Sequence, residues 1–239
     1  MYMKEKLNYY YYLPNDGPGN RIICQYMRLD YLIQLLETHK YYVGRRRVFE
    51  DANESYENLK LAFPIAPAKK LDMQEQELGE RIIPYSDIIH SPTSCWTKNE
   101  NESFLMWKSY ATEVGACIKT TVHNLIASLE INLDYNGMNK VVCGSMNYKE
   151  FLPSSDELRQ LFDKDITFSD ENEFRFYFHL SDDTDKKRTK FQLIPVNTAV
   201  MIDEIILSPF ICKEATDKLA RMIKCSYGIN VKQSNITLR

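Results

Sequence analysis

The chain has 239 residues, of which 44% are hydrophobic and 26% charged, a globular composition that excludes a disordered or low-complexity polypeptide. Its formal net charge of −3 excludes a general electrostatic attraction to nucleic acid or to an anionic membrane. No apolar run approaches the ~18 residues of a membrane-spanning helix. Most of the six cysteines lie in apolar runs without a C-x-x-C pair or a leader peptide, which favours free thiols in a reducing, cytoplasmic compartment.

The predicted elements follow one another without the β-α-β alternation of doubly wound folds. Residues 1–20 are expected to be a lead-in that ends in a turn-rich run, and residues 21–239 a single domain. In the first half, apolar spacing predicts helices at 30–38, 104–112 and 122–129, and short strands at 21–27, 41–43, 90–97 and 116–120. The stretch 44–85 is irregular.

The second half carries the best strand candidates, at 140–148, 174–180 and 200–207. A charged loop at 181–190, a closing helix at 213–224 and a last strand at 229–231 complete the chain, with Gly228 as a helix C-cap. We therefore predict an α+β fold in which helices of the N-terminal half pack on a mixed or antiparallel sheet. The C-terminal half is expected to contribute most of that sheet.

The first candidate for chemistry is the segment E-N-E-F-R at 171–175. Glu171, Glu173 and Arg175 alternate along a predicted strand, so all three are expected on one face. Two carboxylates on one face can hold a ribose hydroxyl or stabilise a developing cation. They can equally form a structural ion pair, with Arg175 neutralising Glu173, and the pattern leaves both interpretations open.

The second candidate is an aromatic wall. Both tryptophans of the chain lie close together, Trp96 in S-C-W-T beside Ser94, and Trp107 in E-S-F-L-M-W-K-S-Y before Tyr110. A wall of aromatic rings with hydroxyls suits a planar ring such as nicotinamide or a nucleobase. Packing of both tryptophans in the core is the alternative. A third candidate, Arg28 at the end of an early strand, suits a phosphate clamp or ordinary surface charge.

The order of these motifs resembles a widespread bacterial family catalogued as a domain of unknown function. The likeness rests on an early Tyr-rich strand and helix, here at 26–36. It also rests on S-C-W-T, E-S-x-x-M-W-x-x-Y, G-A-C-I, E-x-E-x-R and I-x-E-I-I-L-S-P, here within 94–118, 171–175 and 202–209. It extends over most of the chain from about residue 22. The chain departs from the family near 45–54, where an N-D-P-like turn is usual and E-D-A-N-E stands here. The resemblance implies no settled activity.

A second resemblance, to the R–S–E arrangement of ADP-ribosyltransferases, does imply one. It assigns Arg28 to the phosphates of NAD, Ser94 to the nicotinamide ribose and Glu173 to a ribose hydroxyl in the oxocarbenium-like transition state. Glu171 would orient the acceptor, while Trp96, Trp107, Tyr110 and Arg175 would complete the nucleotide site. The implied protein cleaves NAD without a metal and transfers ADP-ribose to a protein or nucleic acid, as a toxin or phage-defence effector would.

Two other functions remain open on the sequence. The first is a non-catalytic regulatory module in which the aromatic cleft binds a nucleotide or a partner. The second is a nucleic-acid enzyme in which Asp170, Glu171 and Glu173 hold Mg²⁺. Strand alternation disfavours the second, because it places Asp170 on the face opposite the two glutamates.

Overall fold

The fold is organised around one large sheet. The computed structural model describes residues 9–12, 21–45, 91–130, 140–150, 161–180 and 190–237. Its strands in chain order are β1 (Tyr9–Tyr12), β2 (Ile22–Arg28), β3 (Lys40–Arg45), β4 (Pro92–Thr97), β5 (Gly115–Thr121), β6 (Lys140–Ser145), β7 (Asn147–Lys149), β8 (Asp163–Asp165), β9 (Glu173–His179), β10 (Phe191–Pro195), β11 (Glu204–Leu207) and β12 (Asn230–Gln233).

The helices are fewer than the strands within the same described ranges. They are α1 (Leu29–Thr38), α2 (Phe104–Met106), α3 (Val122–Ala127), α4 (Thr198–Met201) and α5 (Lys213–Tyr227). A π-helical turn, Trp107–Ala111, continues α2, and a 3-10 helix, Ile166–Glu171, immediately precedes β9. Gly228 ends α5 with φ 72°, a left-handed conformation that glycine adopts without steric cost.

Ten of the described strands pair into one mixed sheet, in the order β1-β6-β9-β4-β2-β5-β11-β12, with β3 and β10 branching from β4. The branch arises because β4 divides one of its edges between two neighbours. Thr97 lies opposite Cys24 of β2, whereas Thr93 lies opposite Gly44 of β3. Between these two pairings β2 and β3 diverge, and the sheet is forked beside Ser94 and Cys95. Strands β7 and β8 form a separate parallel pair.

Alternation along the strands separates two apolar clusters on opposite faces of the sheet. On β2, for example, Ile23 belongs to the main core, whereas Cys24 and Tyr26 belong to the smaller cluster. The main core also takes in the buried faces of α1, α3 and α5. The smaller cluster packs under the π-helical turn, where Trp107 and Ala111 are fully buried. The charged residues of β9 lie on this second face.

The predicted α+β class with a mixed sheet is confirmed, but the predicted division between the halves is wrong. Strands β2, β4 and β5 come from the first half and lie in the middle of the sheet. The 15-residue α5, the longest described helix, comes from the second half. Local periodicity located these segments, yet the pairing of β2 with β5 joins residues about 90 apart, which periodicity does not encode.

Other predictions fall partly or wholly outside the described residues. Most of the irregular stretch 44–85 and of the charged loop 181–190 does so, as does the lead-in 1–20 except for β1, which pairs in parallel with β6. In the part of the chain that the structure covers, no helix has both the length and the apolar character needed to cross a membrane.

Candidate functional site

A cavity of about 550 Å³ opens where the sheet forks. Its walls come from β2, β3, β4 and β9, from the end of α2 and the π-helical turn, and from β8 and the 3-10 helix. The predicted site residues that line it are Ser94, Trp96, Tyr110, Glu171, Glu173 and Arg175. Arg28 and Trp107 do not line it.

Two carboxylates and two cations meet on one wall of this cavity. The Arg175 guanidinium donates through Nε to Glu173 Oε1 at 2.6 Å and through Nη2 to Glu173 Oε2 at 2.9 Å. The Lys164 ammonium donates to Glu173 Oε2 at 3.1 Å and to Glu171 Oε2 at 2.6 Å. Lys164 therefore joins the two carboxylates, and the formal charges of the four groups cancel.

Glu173 is the more deeply held of the two carboxylates. Its side chain is 4% exposed, and that of Arg175 is 1% exposed. Burial is the largest single influence and opposes ionisation, but the charges of Arg175 and Lys164 and the hydrogen bonds from Arg175 and Cys95 together lower the pKa of Glu173 to about 2. Besides the three bonds to these cations, the carboxylate accepts one from the Cys95 thiol. Four donors occupy the roughly four acceptor positions of a carboxylate.

Glu171 retains capacity for a ligand. Its side chain is 16% exposed. Oε2 accepts from Lys164, and Oε1 accepts from the Tyr110 hydroxyl at 2.6 Å. Burial and the neighbouring Glu171 carboxylate raise the pKa of Tyr110, so its phenol stays a hydrogen-bond donor. Glu171 thus presents a carboxylate with unused acceptor positions, oriented by one cation and one phenol.

The route by which Glu171 reaches this wall differs from the predicted one. Glu173 and Arg175 share a face of β9, as strand alternation predicts. Glu171, however, ends the 3-10 helix, and Asn172 turns the chain into β9 in a left-handed conformation with φ 43°. Asparagine tolerates this conformation, and its side-chain amide donates to Asn99 Oδ1 at 2.9 Å. A helix end and a turn, rather than one extended strand, bring the carboxylates together.

Lys164 was not predicted from the sequence. It lies on β8, and its ammonium also lies 4.8 Å from the centre of the Phe168 ring. The β7–β8 pair fixes this strand, because Asp163 accepts from Lys149 Nζ at 2.5 Å and from Asn147 Nδ2 at 3.0 Å. A three-residue strand has too little periodicity to be recognised. The available signal was a nearby lysine that could neutralise the second glutamate of E-N-E-F-R.

Ser94 and Trp96 reach the cavity from the opposite side of the sheet. They alternate with Cys95, which is paired with Arg175 on the neighbouring strand β9 and shares its face of the sheet. The side chains of Ser94 and Trp96 therefore point to the other face, toward the main core. Ser94 Oγ accepts from the Trp96 indole at 2.7 Å and contacts the Tyr41 hydroxyl. The Gln25 amide bridges the fork by donating to Cys95 O at 3.1 Å. These polar side chains line the cavity where β2 and β3 diverge.

The motif E-S-F-L-M-W-K-S-Y contains residues that stabilise the fold and residues that line the cavity. Trp107 is fully buried and packs edge-on against Tyr26, with ring centres 4.8 Å apart. Its indole donates to Glu102 Oε2 at 3.2 Å, and Glu102 also accepts from Asn235 N at 2.8 Å. Glu102 and Trp107 therefore hold the segment that follows β12. Tyr110, near the end of the π-helical turn, donates to the Glu171 carboxylate, and Met106 and Ser109 also line the cavity.

Arg28 is on the surface. Its guanidinium donates to Asp30 Oδ2 at 2.7 Å and lies 5.6 Å from the centre of the Tyr31 ring. Of the predicted trio Arg28, Ser94 and Glu173, the structure brings the last two to one cavity. It does so from opposite faces of the sheet.

Within the described ranges, no three His, Cys, Asp or Glu side chains are grouped so as to hold a metal ion. Comparison of the chain with protein-family models, with curated proteins and with solved structures finds no match.

Proposed function

We propose that the protein is an ADP-ribosyltransferase-like enzyme, in fold and in activity, that cleaves NAD and transfers ADP-ribose to a macromolecular acceptor. The observation that carries the proposal is the Glu171 carboxylate, held by Lys164 and Tyr110 with acceptor capacity to spare on the wall of a cavity large enough for a nicotinamide riboside. Such an activity would suit a toxin or a phage-defence effector that depletes or uses NAD.

In this proposal Glu171 and Glu173 have different roles. The bond between nicotinamide nitrogen and ribose C1′ breaks with its electron pair leaving on nitrogen, and positive charge develops on the ribose. The accessible Glu171 carboxylate stabilises that charge and the ribose hydroxyls. Glu173, whose acceptor positions are filled, holds Arg175 and Lys164 in place. An acceptor nucleophile then attacks C1′ and releases its proton.

The rings beside Glu171 support a cationic, planar leaving group. Tyr110 and Phe168 both line the cavity, and both lie next to the carboxylate network. Aromatic faces attract a positively charged ring such as the nicotinamide of NAD and hold it less well once it is neutral. The proposal depends on these groups and assigns no contact to Arg28, which does not line the cavity.

The test measures nicotinamide release from NAD by the wild type and three variants. Glu171→Gln should lower the rate about 100-fold or more, as removal of one transition-state stabiliser does, while the melting temperature changes little. Glu173→Gln should lower both the rate and the melting temperature. Glu214→Gln, at an exposed position on α5, is the matched control and should change neither. Absence of nicotinamide release by the wild type, or an unchanged rate in Glu171→Gln, would contradict the proposal.

A second function, a non-catalytic nucleotide- or partner-binding module, is favoured by a different observation. The bidentate ion pair between Arg175 and Glu173 is almost fully buried, which is typical of a structural role. A binding module should show a raised melting temperature with NAD or ADP-ribose, while chromatography recovers the NAD intact. Recovery of stoichiometric nicotinamide would exclude this function.

A further inference from the structure

Two buried thiols lie side by side on the face of the sheet that carries the cavity. Cys24 of β2 lies opposite Lys119 of β5, and Tyr26 lies opposite Cys117. Cys24 and Cys117 are thus diagonal neighbours on adjacent antiparallel strands, with side chains on the same face. Both belong to the smaller apolar cluster, and they are 4% and 1% exposed.

The two thiols differ in their surroundings. Cys24 lines the cavity, which gives a small solute a route to its sulfur, whereas Cys117 does not line it. The neighbouring Cys117 side chain is the largest influence on the pKa of Cys24 and lowers it; burial acts against this, and the charge of Lys119 lowers it further. Burial, followed by the neighbouring Cys24 side chain, raises the pKa of Cys117, whose Sγ donates to Ile118 O at 3.7 Å. One thiol is therefore the better nucleophile, and the other is positioned to react with its product.

We propose that Cys24 and Cys117 form a peroxide-sensitive dithiol whose oxidised form is an intramolecular disulfide in the wall of the cavity. The oxidant is a hydroperoxide small enough to enter the cavity, such as hydrogen peroxide. Neither thiol belongs to the carboxylate network, so the dithiol can be tested without NAD cleavage.

The reaction proceeds in two steps. The Cys24 thiolate attacks one peroxide oxygen, so a sulfur–oxygen bond forms, the oxygen–oxygen bond breaks and the departing hydroxide becomes water. The Cys117 sulfur then attacks the Cys24 sulfenic acid. A sulfur–sulfur bond forms, the sulfur–oxygen bond breaks, and the proton from Cys117 completes a second water. Two thiols are oxidised by two electrons and one hydrogen peroxide is reduced. Disulfide formation brings the two sulfur atoms to a bond length of about 2 Å. It requires β2 and β5 to shift, because the Cα atoms of a diagonal pair lie roughly 7–8 Å apart and those of a disulfide lie within about 7 Å.

The experiment uses the full chain with Cys212→Ser and Cys225→Ser, because those two cysteines are exposed and react independently. The reduced protein is treated with one equivalent of hydrogen peroxide, alkylated, and mapped by mass spectrometry without reduction. The expected result is a loss of two thiols per chain and one crosslinked peptide pair containing Cys24 and Cys117. Reduction should restore both thiols.

Single substitutions separate the roles of the two thiols. Cys117→Ser should leave Cys24 as a sulfenic acid that dimedone traps, whereas Cys24→Ser should leave Cys117 unoxidised. Cys143→Ser is the matched control, because Cys143 is fully buried in the main core on the other face, and the crosslink should form as in the parent. Crosslinks from Cys24 to Cys95, disulfide-linked dimers, or Cys24 sulfinic acid beside a free Cys117 would each overturn the proposal. Failure here leaves the nicotinamide assay unaffected, so the two proposals fail separately.

Discussion

At the scale of single residues, the strongest interaction of the site joins Glu173 and Arg175. We expect Arg175→Met to lower the free energy of unfolding by about 3–5 kcal/mol. The buried Glu173 carboxylate would lose the guanidinium of Arg175 and keep only Lys164 as a cationic partner. The double variant Glu173→Leu/Arg175→Met should lose much less than the sum of the single changes. Urea denaturation measures this coupling. The exposed Arg28→Met is the control, since its partner Asp30 is as open to solvent as Arg28 itself.

Because of the same ion pair, the free energy of unfolding depends on pH. The pKa of Glu173 is about 2 in the folded chain and about 4.3 when unfolded. The unfolded state therefore takes up the proton first as pH falls, so the stabilisation by Glu173 is complete above about 4.3 and is lost toward 2. The difference in unfolding free energy between wild type and Glu173→Gln should shrink between about pH 5 and about pH 2. A difference that stays constant over this interval would show that Glu173 is not the group responsible.

The positions of single residues could be predicted where a segment forms one uninterrupted strand with regular alternation of its side chains. Alternation along a single strand correctly placed Glu173 and Arg175 on one face. It could not place Glu171, because the left-handed Asn172 interrupts the strand, nor find Lys164, whose contacts come from a separate three-residue strand. Helical spacing placed Trp107 in the aromatic wall, whereas the structure buries this side chain under the π-helical turn.

At the scale of elements, the π-helical turn and β5 meet at Gly115. A Cβ added to Gly115 would lie 2.2 Å from the backbone oxygen of Ala111, and backbone cannot move aside cheaply. Gly115→Ala should therefore cost about 1–3 kcal/mol of unfolding free energy, as overpacking does. It should also displace Tyr110 from Glu171.

A matched glycine separates crowding from backbone strain. Gly228→Ala meets no atom within 4 Å, so only its φ of 72° opposes the change, at a cost of about 1 kcal/mol. Thermal melts give both stabilities, and nicotinamide release reports the position of Tyr110. Equal melting temperatures and equal activities for the two variants would contradict a close contact at Gly115.

Most elements were predictable because their signals are local. Apolar spacing and the terminal glycine predicted α5 with its cap, and short apolar or aromatic runs predicted β2, β5 and β9 to within a residue or two. The π-helical character of Trp107–Ala111 was not predictable. The residue that follows this turn, Thr112, adopts φ 57°, which is uncommon for a β-branched residue.

At the scale of the whole molecule, the two tryptophans report on opposite faces of one sheet. Trp96 lies in the main core and Trp107 in the smaller cluster. Because the same strands separate and support both clusters, we expect one cooperative transition. In urea, the fluorescence midpoints of Trp96→Phe and Trp107→Phe should each match the midpoint by circular dichroism for the same variant. A tryptophan signal that is lost well before the circular dichroism signal would indicate that its face unfolds separately.

The overall arrangement was the least predictable scale. Strand order depends on pairings between distant segments, such as β1 with β6 and β4 with β9, and no short window of sequence contains both partners. The forked edge of β4, on which the cavity depends, follows from the same distant pairings.

The strand order has a mechanical consequence. The first described strand, β1, and the last, β12, lie at opposite edges of the sheet, with six strands between them on the main path. At about 4.8 Å between neighbouring strands, the seven spacings place the attachment points roughly 34 Å apart. Force applied at these two strands loads the outermost hydrogen-bond ladders first. The two edge strands should therefore separate from the sheet first, and the strands around the fork should separate last.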